Sequence, residues 1–203
     1  GVVSAFAVVI AFDRAAVRPW VEKGIQDRKN ISSDARIFAL EKEIRKTSGV
    51  VVKTLHMGME KYNDVYKKFG SNTNRLLAWM HATALKEAFE VKPVAWGMLD
   101  QFSKQPLVQQ NIKELPIDLR MMTKAESDPV VAAASIVARA LYGRKMEELS
   151  KEAGEPLRKG ASGLVKQQAV QLVHKFGADG LRRFAKVNFK TTNQAIEIAT
   201  AET

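Results

Sequence analysis

The sequence predicts an α/β protein, because apolar, β-rich stretches alternate with segments of helical periodicity. The first observation is Val2 to Phe12 (VVSAFAVVIAF), nearly all apolar, as a strand covered on both faces requires. The second is a set of three shorter strand candidates, Val50 to Met57, Val94 to Leu99 and Pro116 to Met122, the first two separated by helix-period sequence. The third is the run Lys124 to Arg144 (KAESDPVVAAASIVARALYGR). It opens with Glu126-Ser127-Asp128-Pro129, a Ser or Asp able to cap free N–H groups followed by Pro at the first helical position. Val130, Val131, Ala133, Ala134, Ile136, Val137 and Ala140 then give that helix a buried side of small residues, and Ala132-Ala133-Ala134 would let another backbone pack close.

Taken in order, Val21 to Lys29 is polar and basic and reads as a loop carrying Asp27-Arg28-Lys29-Asn30. Ser32 or Ser33 caps a helix to about Lys46, with Ile37, Leu40 and Ile44 three and four apart. Ser48-Gly49 ends it before the second strand. Met59 to Lys68 is a short amphipathic helix closed by Gly70. Asn72 or Thr73 opens a long helix to about Phe89, with Leu76, Leu77, Met80, Ala84 and Ala88 along one side. Lys92-Pro93 interrupts it before the third strand. After the central helix, a glycine-rich loop precedes a helix from about Leu164 to Phe176, which Gly177 stops. With no internal repeat and no low-complexity linker, residues 1–203 are expected to form one domain.

Composition narrows the function classes. Lys and Arg exceed Asp and Glu by 32 to 22, a net charge of +10, which suggests a polyanionic partner: nucleic acid, or an anionic membrane surface, or simply solubility. Cysteine is absent, and three histidines without HxxxH or HExxH spacing argue against zinc. No stretch reaches the ~18 apolar residues that span a bilayer. Val2 to Phe12 lacks a basic leader and a cleavage site, so it reads as a strand and not a signal peptide, with the cytoplasm as the expected location. The strand begins at the first residue, as expected for the remainder of something longer.

Four features bear on chemistry. Asp100 stands at the end of an apolar strand, where α/β proteins place ligands, or else forms a turn. Glu126, at the positive end of a helix, suits a hard cation or merely helps the cap. Lys159-Gly160-Ala161-Ser162-Gly163 suits a backbone phosphate or is an ordinary turn. Arg182-Arg183-Phe184-Ala185-Lys186 and Asn188-Phe189-Lys190 suit a nucleic-acid surface, or a helix face with Phe inward.

Together these pieces resemble the type 2 ribonucleases H, and most closely the ribonuclease HIII branch. Asp27-Arg28-Lys29 looks like the branch's Asp-Ser-Lys stretch, with Arg for Ser. Lys61-Tyr62-Asn63, Tyr66-Lys67-Lys68, Leu76-Leu77-Ala78-Trp79 and His81-Ala82 look like its middle helices. Asp100-Gln101-Phe102 looks like its Asp-Gln-Phe, and Thr123-Lys124-Ala125-Glu126 with Val131 to Arg139 like its Lys-Ala-Glu and Ala-Ala-Ser-Ile segment. Lys159-Gly160-Ala161-Ser162 and Phe189-Lys190-Thr191-Thr192 look like its carboxyl-terminal blocks.

The resemblance implies a ribonuclease H-like mixed sheet flanked by helices, with a helical carboxyl-terminal portion. It also implies an endonuclease cutting the RNA strand of RNA–DNA hybrids with Mg²⁺ or Mn²⁺ and four carboxylates. Asp100 and Glu126 match the third and fourth of these, as catalytic metal ligands. Lys29, Lys159, Gly160, Ala161 and Ser162 would lie toward the hybrid. The family's first two carboxylates are an adjacent pair in an Asp-Glu-x-Gly motif placed before the strand matched by Val2 to Phe12. The sequence starts after that point, and Asp13 does not replace them. The central strand that carries the pair is therefore expected to be missing, and so is the branch's amino-terminal substrate-binding domain. The expectations are a monomer, or a chain whose sheet is completed by upstream residues, a partner chain or a rearranged edge. A non-catalytic nucleic-acid-binding or assembly protein of the same fold is the main rival, and a basic scaffold or membrane-surface protein a third.

Overall fold

The computed structural model describes residues 4–25, 31 and 33–201. Lys29, with the rest of Asp27-Arg28-Lys29, lies outside the described residues. These residues group into two compact units: residues 5–55 and 73–141 form one, and Ser4, residues 56–72 and those from Tyr142 onward form the other.

The first unit carries the strands. β1 (Ser4–Ala11) pairs with β2 (Val50–Met57), and β3 (Trp96–Asp100) pairs with β4 (Asp118–Met122). The second pair is parallel, in register from Trp96 opposite Asp118 to Asp100 opposite Met122. Parallel neighbours need a crossover, and residues 101–117, including the four-residue helix α5 (Leu107–Gln110), provide it. The mixed α/β class expected from the sequence holds, with two two-stranded sheets among the described residues.

Two cores hold this unit. In one, Ile37, Leu40 and Ile44 of helix α2 (Asp34–Lys46) meet Ala132, Ala133, Ile136 and Val137 of the long helix α6 (Pro129–Ala153), with Val9 and Trp20 beside them. The fully buried Ala132 and Ala133 are the close-packing face that the small-residue run predicts. In the other, Ala78, Ala82 and Leu85 of helix α4 (Thr73–Val91) pack with Val108, Ile112 and Leu99.

Helix α1 (Arg14–Glu22) replaces what the sequence suggests is the start of a loop at Val21. Asp13 caps it, accepting from the Ala15 N–H at 2.8 Å, and Pro19 sits inside it. What holds α1 is Trp20, 2% exposed, whose indole N–H donates to Thr47 Oγ1 at 3.1 Å.

The second unit is helical: α3 (Met59–Lys68), α6 from Tyr142, α7 (Gly163–Gly180) and α8 (Lys190–Ala201). Leu172, Val173, Leu181, Phe184 and Ala199 make its core. Gly177, at φ 76° and ψ 166°, breaks the regular helix within α7 where the sequence predicts a stop. Buried Asn63 ties α3 to the segment after α7: its amide donates to Arg182 O and Ala185 O, and its Oδ1 accepts from the Val187 N–H.

Candidate active site

Asp100 is the last residue of β3 and is exposed. The Gln101 N–H donates to Met122 O at 3.0 Å, which carries the pairing one step past the strand and fixes where the Asp100 side chain emerges. Beyond β4, Lys124 takes a left-handed conformation, φ 57° and ψ 34°, and turns the chain back toward β3. The N–H of the buried Ala125 then donates to Asp100 Oδ1 at 3.3 Å. Asp100 is thus bonded 25 residues away, not within a local turn.

The partly buried Glu126 is the next residue in the chain after Ala125. Glu126 lies in a single 3₁₀ turn, Ala125–Ser127, ahead of α6. Asp128 caps α6, since its Oδ1 accepts from the Val130 N–H at 2.8 Å and the Val131 N–H at 3.1 Å. The structure therefore ties the residue before Glu126 to Asp100 and gives the capping task to Asp128.

Beside Asp100 and Asp128 runs a cleft of about 650 Å³ inside the strand-bearing unit. Every residue from Ala5 to Ala11 on one side and from Val94 to Asp100 on the other lines it. Successive strand residues point to opposite faces, so an unbroken run of lining residues means that the cleft follows the edges of β1 and β3. Asp100 and Asp128 are its acidic lining. Asp128 was legible only as a cap, because nothing in its spacing separates the two positions.

His81 of α4 lines the same cleft and supports the turn after Asp100. Its ring stacks on Phe102 at 5.3 Å between centroids and meets Phe6 edge-on at 4.6 Å. Burial pushes its pKa down from 6.5 to about 4, so it is a neutral ring in an aromatic sandwich. Among the described residues, no three His, Cys, Asp or Glu side chains converge as a metal-binding group.

The basic loop belongs to the helical unit. Lys159, Gly160, Ala161 and Ser162 are all exposed. Gly160 takes φ +95°, which favours glycine, and Ser162 caps α7 by accepting from the Val165 N–H at 3.4 Å. The Lys159 Nζ lies 5.6 Å from the centre of the Tyr142 ring. Of the basic and aromatic stretches after α7, Phe184 faces inward while Phe189 and Lys190 are exposed. Phe184 is 2% exposed, Arg182 pairs with Asp64 at 2.7 Å, Arg183 pairs with Glu152, and Lys186 lies over the Tyr62 ring. Burial lowers the Lys186 pKa.

Comparison with known proteins places this geometry among relatives. The family model of ribonuclease HII matches residues 2–192. Ribonuclease HIII of Chlamydia trachomatis serovar L2 is 36% identical over 94% of this chain and 63% of its own, and that of Chlamydia muridarum 40% over 82% and 56%. The chain spans 55% to 65% of the length of the curated ribonucleases HIII it matches. Among solved structures, Bst-RNase HIII in complex with Mn²⁺ superposes with a TM-score of 0.84 at 26% identity, covering 98% of this chain and 67% of that one. Ribonuclease H2 of Pyrococcus horikoshii, at 18% identity, shares the fold with a TM-score of 0.78 over 98% of this chain and 93% of its own.

Proposed function

Since the chain belongs to the ribonuclease HII family, we propose that it carries part of the active site of an endonuclease that hydrolyses the RNA strand of RNA–DNA hybrids. The observation that carries this reading is the Ala125 N–H bond to Asp100, which ties the segment that carries Glu126 to a strand-end Asp lining the cleft. Asp100 and Glu126 would hold Mg²⁺ or Mn²⁺, since carboxylate oxygens suit hard cations. The Mn²⁺ of the related Bst enzyme supports that choice. When bound, paired cations sharing such ligands activate a water and steady the leaving oxygen. Two carboxylates leave most of such a shell open, so this chain's part is to fix one side of it.

The cleft between β1 and β3 is, in this reading, the seat of one further strand. Among the described residues β1 and β3 each pair on one side only, and backbone groups shielded from water need partners. An Asp-Glu pair carried on that strand would complete the carboxylate set beside Asp100. Lys159, Gly160, Ala161 and Ser162 would grip the hybrid's backbone through charge and backbone N–H groups. Lys29 takes the same role on the strength of the family resemblance. No helix among the described residues is long and apolar enough to cross a membrane, and we place the activity in the cytoplasm.

The test is cleavage of a labelled RNA–DNA hybrid in Mg²⁺ and in Mn²⁺, with binding measured in parallel. Asp100→Asn is expected to remove metal-dependent cleavage while leaving hybrid affinity close to that of the parent. Full activity in that variant would overturn the assignment. Binding without cleavage by the chain itself would favour a non-catalytic nucleic-acid-binding protein of the same fold.

A further inference from the structure

A basic loop grips a phosphate well only if its cation and N–H groups arrive already arranged, because ordering them on binding costs entropy. Residues 158–162 are exposed, so packing does not arrange them. One buried side chain does. Gln168, in the second turn of α7, is 8% exposed. Its Oε1 accepts from the Arg158 N–H at 2.7 Å. Its Nε2 donates to Pro156 O at 2.9 Å and to Glu155 Oε2 at 3.1 Å.

All three bonds of this amide fall on the limb that enters the loop, and the last of them ends one residue before Lys159. On the same limb, Ser150 Oγ of α6 accepts from the Leu157 N–H at 2.9 Å while donating to Met146 O at 2.7 Å. Ser162 fixes the far end as the cap of α7. The loop is thus clamped at both ends, and Gln168 supplies more of the clamp than any other side chain described here. A glutamine needed only to close a helix turn would spend its bonds locally. This one spends them 10 to 13 residues back along the chain.

We propose that Gln168 is a positioning residue for hybrid binding, holding residues 155–158 so that Lys159 to Ser162 meet a nucleic-acid phosphate in one conformation. This rests on the reading of that loop as a phosphate site, and the two ideas fail in different ways.

The experiment is a double-mutant cycle on the whole chain, read as affinity for a fluorescent RNA–DNA hybrid at low salt, with thermal unfolding recorded for each variant. Lys159→Ala is expected to weaken binding about fivefold, as loss of one phosphate contact does. Gln168→Leu is expected to weaken it by a similar factor. The double variant should bind no worse than the weaker single, because a released loop no longer presents Lys159. Losses that multiply independently would overturn the proposal, as would parental affinity in Gln168→Leu. If Lys159→Ala binds like the parent, the phosphate reading fails instead.

Should Gln168→Leu compromise folding, Gln168→Glu decides, because it matches glutamine in size and keeps an acceptor for the Arg158 N–H while losing the donor to Pro156 O and Glu155. Weakened hybrid binding in Gln168→Glu that Lys159→Ala does not deepen supports the clamp. Parental affinity in Gln168→Glu, or losses that multiply independently with Lys159→Ala, refutes it.

Discussion

His81 shows how one side chain near the cleft makes stability depend on pH. Its ring is enclosed by Phe6 and Phe102, and an imidazolium placed there would lose its hydration. The folded state holds the pKa near 4, against 6.5 in the unfolded chain, so the unfolded chain binds the proton more readily. The stability linked to this group is fully present above about pH 6.5 and is lost as the pH falls toward 4. A depression of that size is worth about 3 kcal/mol at its low-pH limit. Urea unfolding at pH 7 and pH 4 should therefore show a smaller acid loss in His81→Phe than in the parent. Equal losses in the two proteins would mean that the sandwich does not govern the titration.

Helix α6 makes the same point about its start. Asp128 accepts from two of the N–H groups that no helical carbonyl can reach, and Pro129 removes a third donor. Asp128→Ala should cost about 1 kcal/mol in thermal unfolding, and Asp128→Asn, which still caps, only a few tenths. An Ala variant as stable as the parent would take the cap away from Asp128. This helix was readable because cap, proline and small-residue face all sit within a dozen positions. Helix α1 was not, since Pro19 argues against it and its anchor, Thr47, lies 27 residues from Trp20. The site divides in the same way. Asp100 is visible as an acid ending an apolar strand, but its bond to Ala125 depends on Lys124 turning left-handed, and lysine gives no warning of that. Gln168 carries no motif at all, because its role exists only once residues 155–158 fold back onto α7.

For the molecule as a whole, the question is which of its cations meet a polyanion. Lys and Arg number 32 against 22 acids, but several are already committed: Lys23 to Glu43, Lys86 to Glu114, Arg182 to Asp64 and Arg183 to Glu152. A paired surface cation displaces few counterions when a phosphate arrives, whereas one that takes up a phosphate contact displaces nearly a full one. Hybrid affinity should therefore fall steeply with salt, by roughly 0.7–0.9 in the logarithmic slope for each phosphate contacted. Lys159→Ala should reduce that slope by about 1, and Lys86→Ala should leave it unchanged. Titrations from 50 to 200 mM salt, a range typical of such measurements, would separate the two variants. A slope that is flat in the parent, or that Lys86→Ala lowers as much as Lys159→Ala, would mean that the net charge serves solubility and not recognition of the hybrid.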